Sequence, residues 1–260
     1  MRLSTGERPH HAAGRIGVGA PEDHGFRRDR DDRDSTARWR KLASGSRQRI
    51  HDELMVSLRH PTSTPHHNHK YFLRLYYNTT DAWMDYAETS ESPTFVYGLI
   101  RRFYDIYRDS RSEHVKGENG GGRHAHWRPY YEAVEKLSRS GDARHRMACV
   151  YLGARAHTRY DLREAIVATY RSTSRLRLPA PSPAALRRDL FGAHSDRIFQ
   201  SAFHRFCLQT LETTPLGSSP TATAGIRAAL ASVEPIWIRK FQRWREQAFS
   251  EAVERLGPPE

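Results

Sequence analysis

The chain has 260 residues, 37% of them hydrophobic and 28% charged, with 42 Lys and Arg against 30 Asp and Glu for a formal charge of +12. That length accommodates one large domain or two small ones, and the basic balance favours phosphate-bearing partners, nucleic acid among them, without singling one out, because the arginines are spread along the chain. Two cysteines, Cys149 and Cys207, cannot build a disulfide framework, and no C-x-x-C pair offers zinc or redox chemistry. The N-terminus lacks the apolar core of a signal peptide, and no apolar run approaches the roughly eighteen residues of a membrane span. The expectation is a cytoplasmic protein with reduced, buried cysteines.

Residues 1–45 mix Gly, His, Pro and alternating charge, including the run from Arg27 to Asp34. Nothing there repeats with a helix or strand period, so a disordered basic tail is expected, followed by a single all-helical domain over residues 46–260. A first helix is predicted from Ser46 to about His60, where Pro61 and Pro65 end it. The loop that follows carries His66, His67 and His69, spacing too loose for a preorganised metal site. The next stretch, His69 to Glu88, puts Phe72, Leu73, Tyr76, Trp83 and Met84 on one apolar stripe. Ser92-Pro93 has the form of a helix start, and that helix is expected to reach about Tyr107. The Gly-rich segment at 117–122 has neither the G-K-[ST] nor the preceding strand that a phosphate-binding loop needs, so it reads as a connection.

Beyond it, a helix is expected near Pro129, and another runs from the Gly141-Asp142 break through Met147 and Tyr151 to Tyr170. The Pro-rich stretch 178–183 is a linker, followed by helices over 184–211 and 224–256, the second interrupted at Pro235. Trp237, Phe241, Trp244 and Ala248 form the inward stripe of the last. No strand–turn–strand pattern occurs. The fold class is therefore all-α, a multi-helix bundle of about seven helices.

One segment carries a chemical signal. In MACVYLGARAHTRYDLREAIVATY, at about 100° per residue, Met147, Val150, Tyr151, Ala154, Thr158, Ala165 and Ala168 fall on one arc. His157 and Asp161 lie inside that arc, and Arg155, Arg159 and Arg163 fall opposite it, toward solvent. A buried carboxylate needs a partner or a metal to offset its desolvation. Three solutions stay open: the two side chains share a divalent metal such as zinc, Asp161 orients His157 as a general base, or the pair is a structural hydrogen bond. A metal would need a third ligand from another helix; His194 is the leading candidate, with Asp81 and His126 as further polar groups. Tyr76, Trp83, Trp127 and Tyr151 are the expected aromatic walls of a substrate pocket around the pair.

The phrases YFLRLYYNTTDAW, HWRPYYEAVEKL and YLGARAHTRYDLREAIV, in that order, resemble an uncharacterised bacterial helical family, domain of unknown function 5995. Its members carry a phrase of the form LLG-x-NAH-I-x-x-DL, which Leu152, Gly153, Ala156, His157, Asp161 and Leu162 match. The resemblance spans residues 50–256 and implies a helical fold with the His/Asp pair, but no activity. Arg155 and Arg159 stand where the family tends toward amides, so chemistry resting on those amides does not carry over. A looser likeness, of H-x-x-x-D to the ligand pairs of helical zinc phospholipases and nucleases, is fold-level analogy. Three functions follow as expectations: a small-molecule enzyme, by metal-dependent hydrolysis or by acid/base isomerisation or cyclisation in a biosynthetic pathway; a nucleic-acid-binding protein using its arginines; or a non-catalytic interaction protein docking through the C-terminal tryptophan helix.

Overall fold

A computed structural model of the chain describes residues 45, 47–56, 69–117, 123–140, 143–212 and 220–257. The expected tail up to residue 44, His66, His67 and most of the Gly-rich segment lie outside them. Every regular element among the described residues is helical, and none is a strand. In chain order they are α1 (47–56), α2 (Lys70–Ala87), α3 (Pro93–Val115), a 3₁₀ turn (Ala125–Trp127), α4 (Arg128–Ser140), α5 (Ala143–Arg155), a π-helical turn (Ala156–Asp161), α6 (Leu162–Arg175), α7 (Pro183–Phe191), α8 (Ala193–Glu212) and α9 (Pro220–Leu256). None of these helices is long and apolar enough to cross a membrane.

The boundaries follow local chemistry. Pro93 and Pro183 occupy first-turn positions, where a missing N–H costs nothing. Ser182 caps α7 by accepting from the Ala185 N–H at 3.1 Å. Four elements differ from the sequence-based expectation. Helix α3 continues eight residues past Tyr107 to Val115, its later turns burying Ser110, whose hydroxyl bonds the Tyr107 carbonyl and meets the Tyr131 hydroxyl. The run expected as one helix over 184–211 divides at Gly192, and α9 passes through Pro235 without ending there. Pro235 stands on the exposed side of that helix, where its ring and lost hydrogen bond meet solvent rather than packed neighbours. Lastly, the helix expected across 142–170 opens into the π turn, in which the Leu162 N–H reaches back five residues to the His157 carbonyl.

The core has two parts. One gathers Phe72, Tyr76, Ile100, Tyr107, Trp127, Tyr130, Val150 and Trp244 from α2, α3, the 3₁₀ turn, α4, α5 and α9, and the other gathers Phe95, Leu99, Ile166, Leu186, Leu190 and Phe249 around α6 and α7. Trp83 packs against both. Helix α2 can lie close to α5 because residue 153 is glycine: a Cβ there would sit 2.7 Å from the Phe72 ring and 3.0 Å from Tyr130. Cys149 and Cys207 are free and buried, and burial pushes their thiols up to about 11 and about 12, so neither ionises readily.

Candidate active site

The π turn decides which side chains face inward. A turn wider than 3.6 residues lets His157, Thr158 and Asp161 all be buried, at 4%, 6% and 0% exposure. Asp161 sits where the 3₁₀ turn before α4 meets the π turn. Its Oδ1 accepts from His126 Nε2 at 2.6 Å, and its Oδ2 accepts from His157 Nδ1 at 3.0 Å. The Trp127 indole N–H lies across both oxygens at 3.2 and 3.1 Å. Three N–H groups thus replace the water that burial removed, which is what a fully buried acidic side chain requires.

The bond to Asp161 also fixes the imidazole. With the proton on Nδ1, the other nitrogen, Nε2, carries a free lone pair. Burial pushes the His157 pKa below its ordinary value, and the neighbouring Asp161 pulls it only partway back, so the ring is neutral near pH 7. His157 is stacked on Phe103, centroids 3.5 Å apart, and meets the edge of Tyr76 at 4.4 Å. Nε2 has no hydrogen-bond partner, nor does the Tyr107 hydroxyl, while the Tyr76 hydroxyl lies beside Thr80. Burial raises both phenols, that of Tyr107 to about 12, so both remain protonated.

His157 stands at the wall of an internal cavity of about 80 Å³. The cavity lies along the seam between the two core clusters, with Phe72, Tyr76 and Phe103 on the His157 side and Leu186, Leu190 and Phe199 contributed by α7 and α8. Asp161, His126 and Trp127 are not part of that wall. His157 lines the cavity and Asp161 does not, and Nε2 is the ring nitrogen that Asp161 leaves free.

The sequence-predicted residues distribute as follows. His157 and Asp161 are together, and Tyr76 and Trp83 line the cavity. Trp127 is wholly buried and holds Asp161 instead of forming a wall. Tyr151 packs away from the cavity against Trp237 and Trp244, with the Lys240 ammonium over its ring. His194 is stacked on Tyr86 and bonded through Nε2 to the Asp189 carbonyl at 2.8 Å. Asp81 pairs with Arg47 and Arg205. The trio His157, Asp161 and His194 is therefore not assembled, and among the described residues no three His, Cys, Asp or Glu side chains are grouped to hold a metal ion. Both Asp161 oxygens are already taken by N–H donors, so the residues present do not fit a divalent metal.

Two expectations about the arc are corrected. Met147 is 41% exposed, because α5 and the π turn do not share one continuous face. Arg159 and Arg163 do not extend into solvent: both reach across to Glu251 on α9, Arg163 at 2.7 Å, while Arg155 alone of the three is exposed.

Sequence reasoning missed Arg245. It is 1% exposed, lines the cavity, and lies over the Phe199 ring at 4.5 Å. The signal was present: position 245 falls between Phe241 and Ala248 on the inward stripe of α9. The stacking of Phe103 on His157 had no sequence signature. Compared with protein-family models, curated proteins and solved structures, the chain matches none. The family resemblance rests on its motif phrases alone.

Proposed function

We propose that the protein is an acid–base enzyme acting on a small, largely apolar molecule bound in the seam between the two core clusters. The observation that carries this reading is His157: a neutral imidazole on the cavity wall whose Nδ1 is held by Asp161 and whose Nε2 is unpartnered. A histidine oriented in this way accepts a proton at Nε2 and returns it at another position, the chemistry of an isomerisation, elimination or cyclisation. His157 is the catalytic residue. Asp161 is a positioning residue that selects the tautomer and steadies the imidazolium when it forms, and His126 and Trp127 hold Asp161. The apolar walls keep competing water from the base. Acid–base chemistry is preferred to metal-dependent hydrolysis because Asp161 spends its oxygens on N–H donors.

The test is to incubate a small-molecule extract with the protein and with His157→Gln, the latter checked for native circular dichroism, and to follow composition by mass spectrometry. The expected result is at least one compound converted by the wild-type protein and left unchanged by the variant. A conversion that proceeds equally with His157→Gln, or no conversion at all, defeats the reading.

A further inference from the structure

Arg245 is a second unsatisfied polar group on the same cavity. Its side chain is clamped: Nη1 donates to the Leu190 carbonyl at 2.6 Å and to the Ser195 hydroxyl, and Nη2 pairs with Asp196 at 2.6 Å. Its Nε–H is buried and has no acceptor. A buried donor of this kind is unfavourable when nothing fills it. In this setting, fixed by three other bonds and aimed by none of them, it is a ready-made donor for one oxygen of a bound molecule.

The surroundings say what kind of oxygen. The Arg245 charge is already met by Asp196. Asp189, bonded to the Tyr86 hydroxyl at 2.8 Å, brings a further acidic side chain to the same wall. A ligand carboxylate would add another negative charge to an apolar cavity that has one N–H to spare, and its desolvation would go unreturned. An alcohol could accept from Nε–H, but its own O–H would then have to reach the Asp189 carboxylate or His157 Nε2 at the same time. A carbonyl oxygen needs one donor and brings none. The volume of about 80 Å³ corresponds to about three waters and is about half that of an engineered apolar cavity that takes benzene, the scale of a short-chain molecule and far below that of a nucleotide.

We propose that the cavity takes a neutral carbonyl compound of this size, its oxygen accepting from Arg245 Nε–H. This rests on the acid–base reading of the same site and names its substrate class. The chemistry is coherent: a carbonyl acidifies the C–H bonds next to it, and a neutral imidazole is a base suited to them.

The experiment uses the wild-type chain labelled with nitrogen-15 and four probes of one shape: 2-butanone, 2-methyl-1-butene, 2-butanol and propionate. The expected result is that 2-butanone binds at least about tenfold more tightly than 2-methyl-1-butene, a difference of about 1.4 kcal/mol, and that only 2-butanone moves the Arg245 Nε–H resonance strongly downfield. Equal binding of 2-butanone and 2-methyl-1-butene with that resonance unmoved overturns the proposal, as does tightest binding by propionate or by 2-butanol, or binding of none of the four. Failure here is separable from failure of the acid–base reading. Equal binding of ketone and alkene without a resonance shift removes the carbonyl and leaves His157 to its own test, whereas 2-butanone bound as expected to a protein whose conversion survives His157→Gln removes the base and keeps the ligand.

Discussion

At position 161 an acidic side chain with no solvent exposure is held by donors from three side chains on two segments. Such a group is costly to disturb, because each donor it releases becomes a buried orphan. Asp161→Asn keeps the shape but replaces one accepting oxygen with an N–H₂, which faces a donor. The expected loss is about 3–5 kcal/mol of unfolding free energy, measured by urea denaturation. A second readout separates positioning from mere packing: imidazole nitrogen-15 shifts should show the His157 proton moving from Nδ1 toward Nε2 in the variant, since an amide N–H₂ at Oδ2 can donate to Nδ1. An unchanged tautomer would show that Asp161 does not orient the ring. The pair itself was legible in sequence because ionisable residues four apart on an apolar arc stand out. Its third partner was legible only as one of three candidates, His194, Asp81 and His126, and it is His126 that meets Asp161; the residue is 35 positions away in a short 3₁₀ turn, where helical periodicity gives no direction.

Two contacts set how the elements around the site are held. The first is the approach of α5 to α2 at Gly153. Gly153→Ala would drive a methyl group into Phe72, a wall of the cavity, and the expected cost is about 1–3 kcal/mol in thermal or urea unfolding. No change in stability would mean that the Phe72 ring yields freely. The second is Glu251 on α9, which ties that helix to the π turn and α6. The Arg159 hydrogen bond, with help from Arg163 and against partial burial, holds the Glu251 carboxyl down to about 2. A depressed folded-state pKa gives stability that is present above the ordinary value of 4.5 and is lost as pH falls toward 2. The carboxylate is a third exposed, so Glu251→Gln is expected to cost only about 1 kcal/mol at neutral pH, a difference that narrows by about pH 3. Helix identities were readable from apolar stripes and proline positions. The π turn was not, since a widened turn leaves the composition of a helix intact and alters only which residues share a face; that is why Met147 was placed inside and Arg159 outside.

For the whole molecule, burying His157 in its neutral form couples folding to acidity. The unfolded chain binds a proton there near the ordinary 6.5, and the folded chain resists it. Stability from this residue is therefore complete above about pH 6.5 and declines as pH falls below it, by up to about 1.4 kcal/mol per pH unit. Urea unfolding of wild type and His157→Gln between pH 7.5 and 5 should show the wild-type advantage shrinking on acidification; a constant difference would mean the imidazole titrates freely. The all-α class was legible at this scale because thirteen to twenty-residue apolar periods recur along the chain, as α5, α6 and α8 illustrate. The cavity was legible only at His157, Tyr76 and Trp83; the rest of its wall was not, because it belongs to the seam between two clusters assembled from distant segments, and Arg245 joins it from the far end of the sequence.

The widened turn at Ala156–Asp161 has a genetic consequence. A π turn holds one residue more than the α-helical winding on either side of it, so a single in-frame codon deletion within it can be absorbed by tightening the turn. Helices α5 and α6 would then run on as one uninterrupted rod with their outer contacts largely in register. His157 and Asp161 would no longer both reach His126, Trp127 and the seam. Such a shortened chain is expected to express as a helical protein in which the His157–Asp161 arrangement is undone, which makes the turn a place where length variation alters the site while sparing the scaffold.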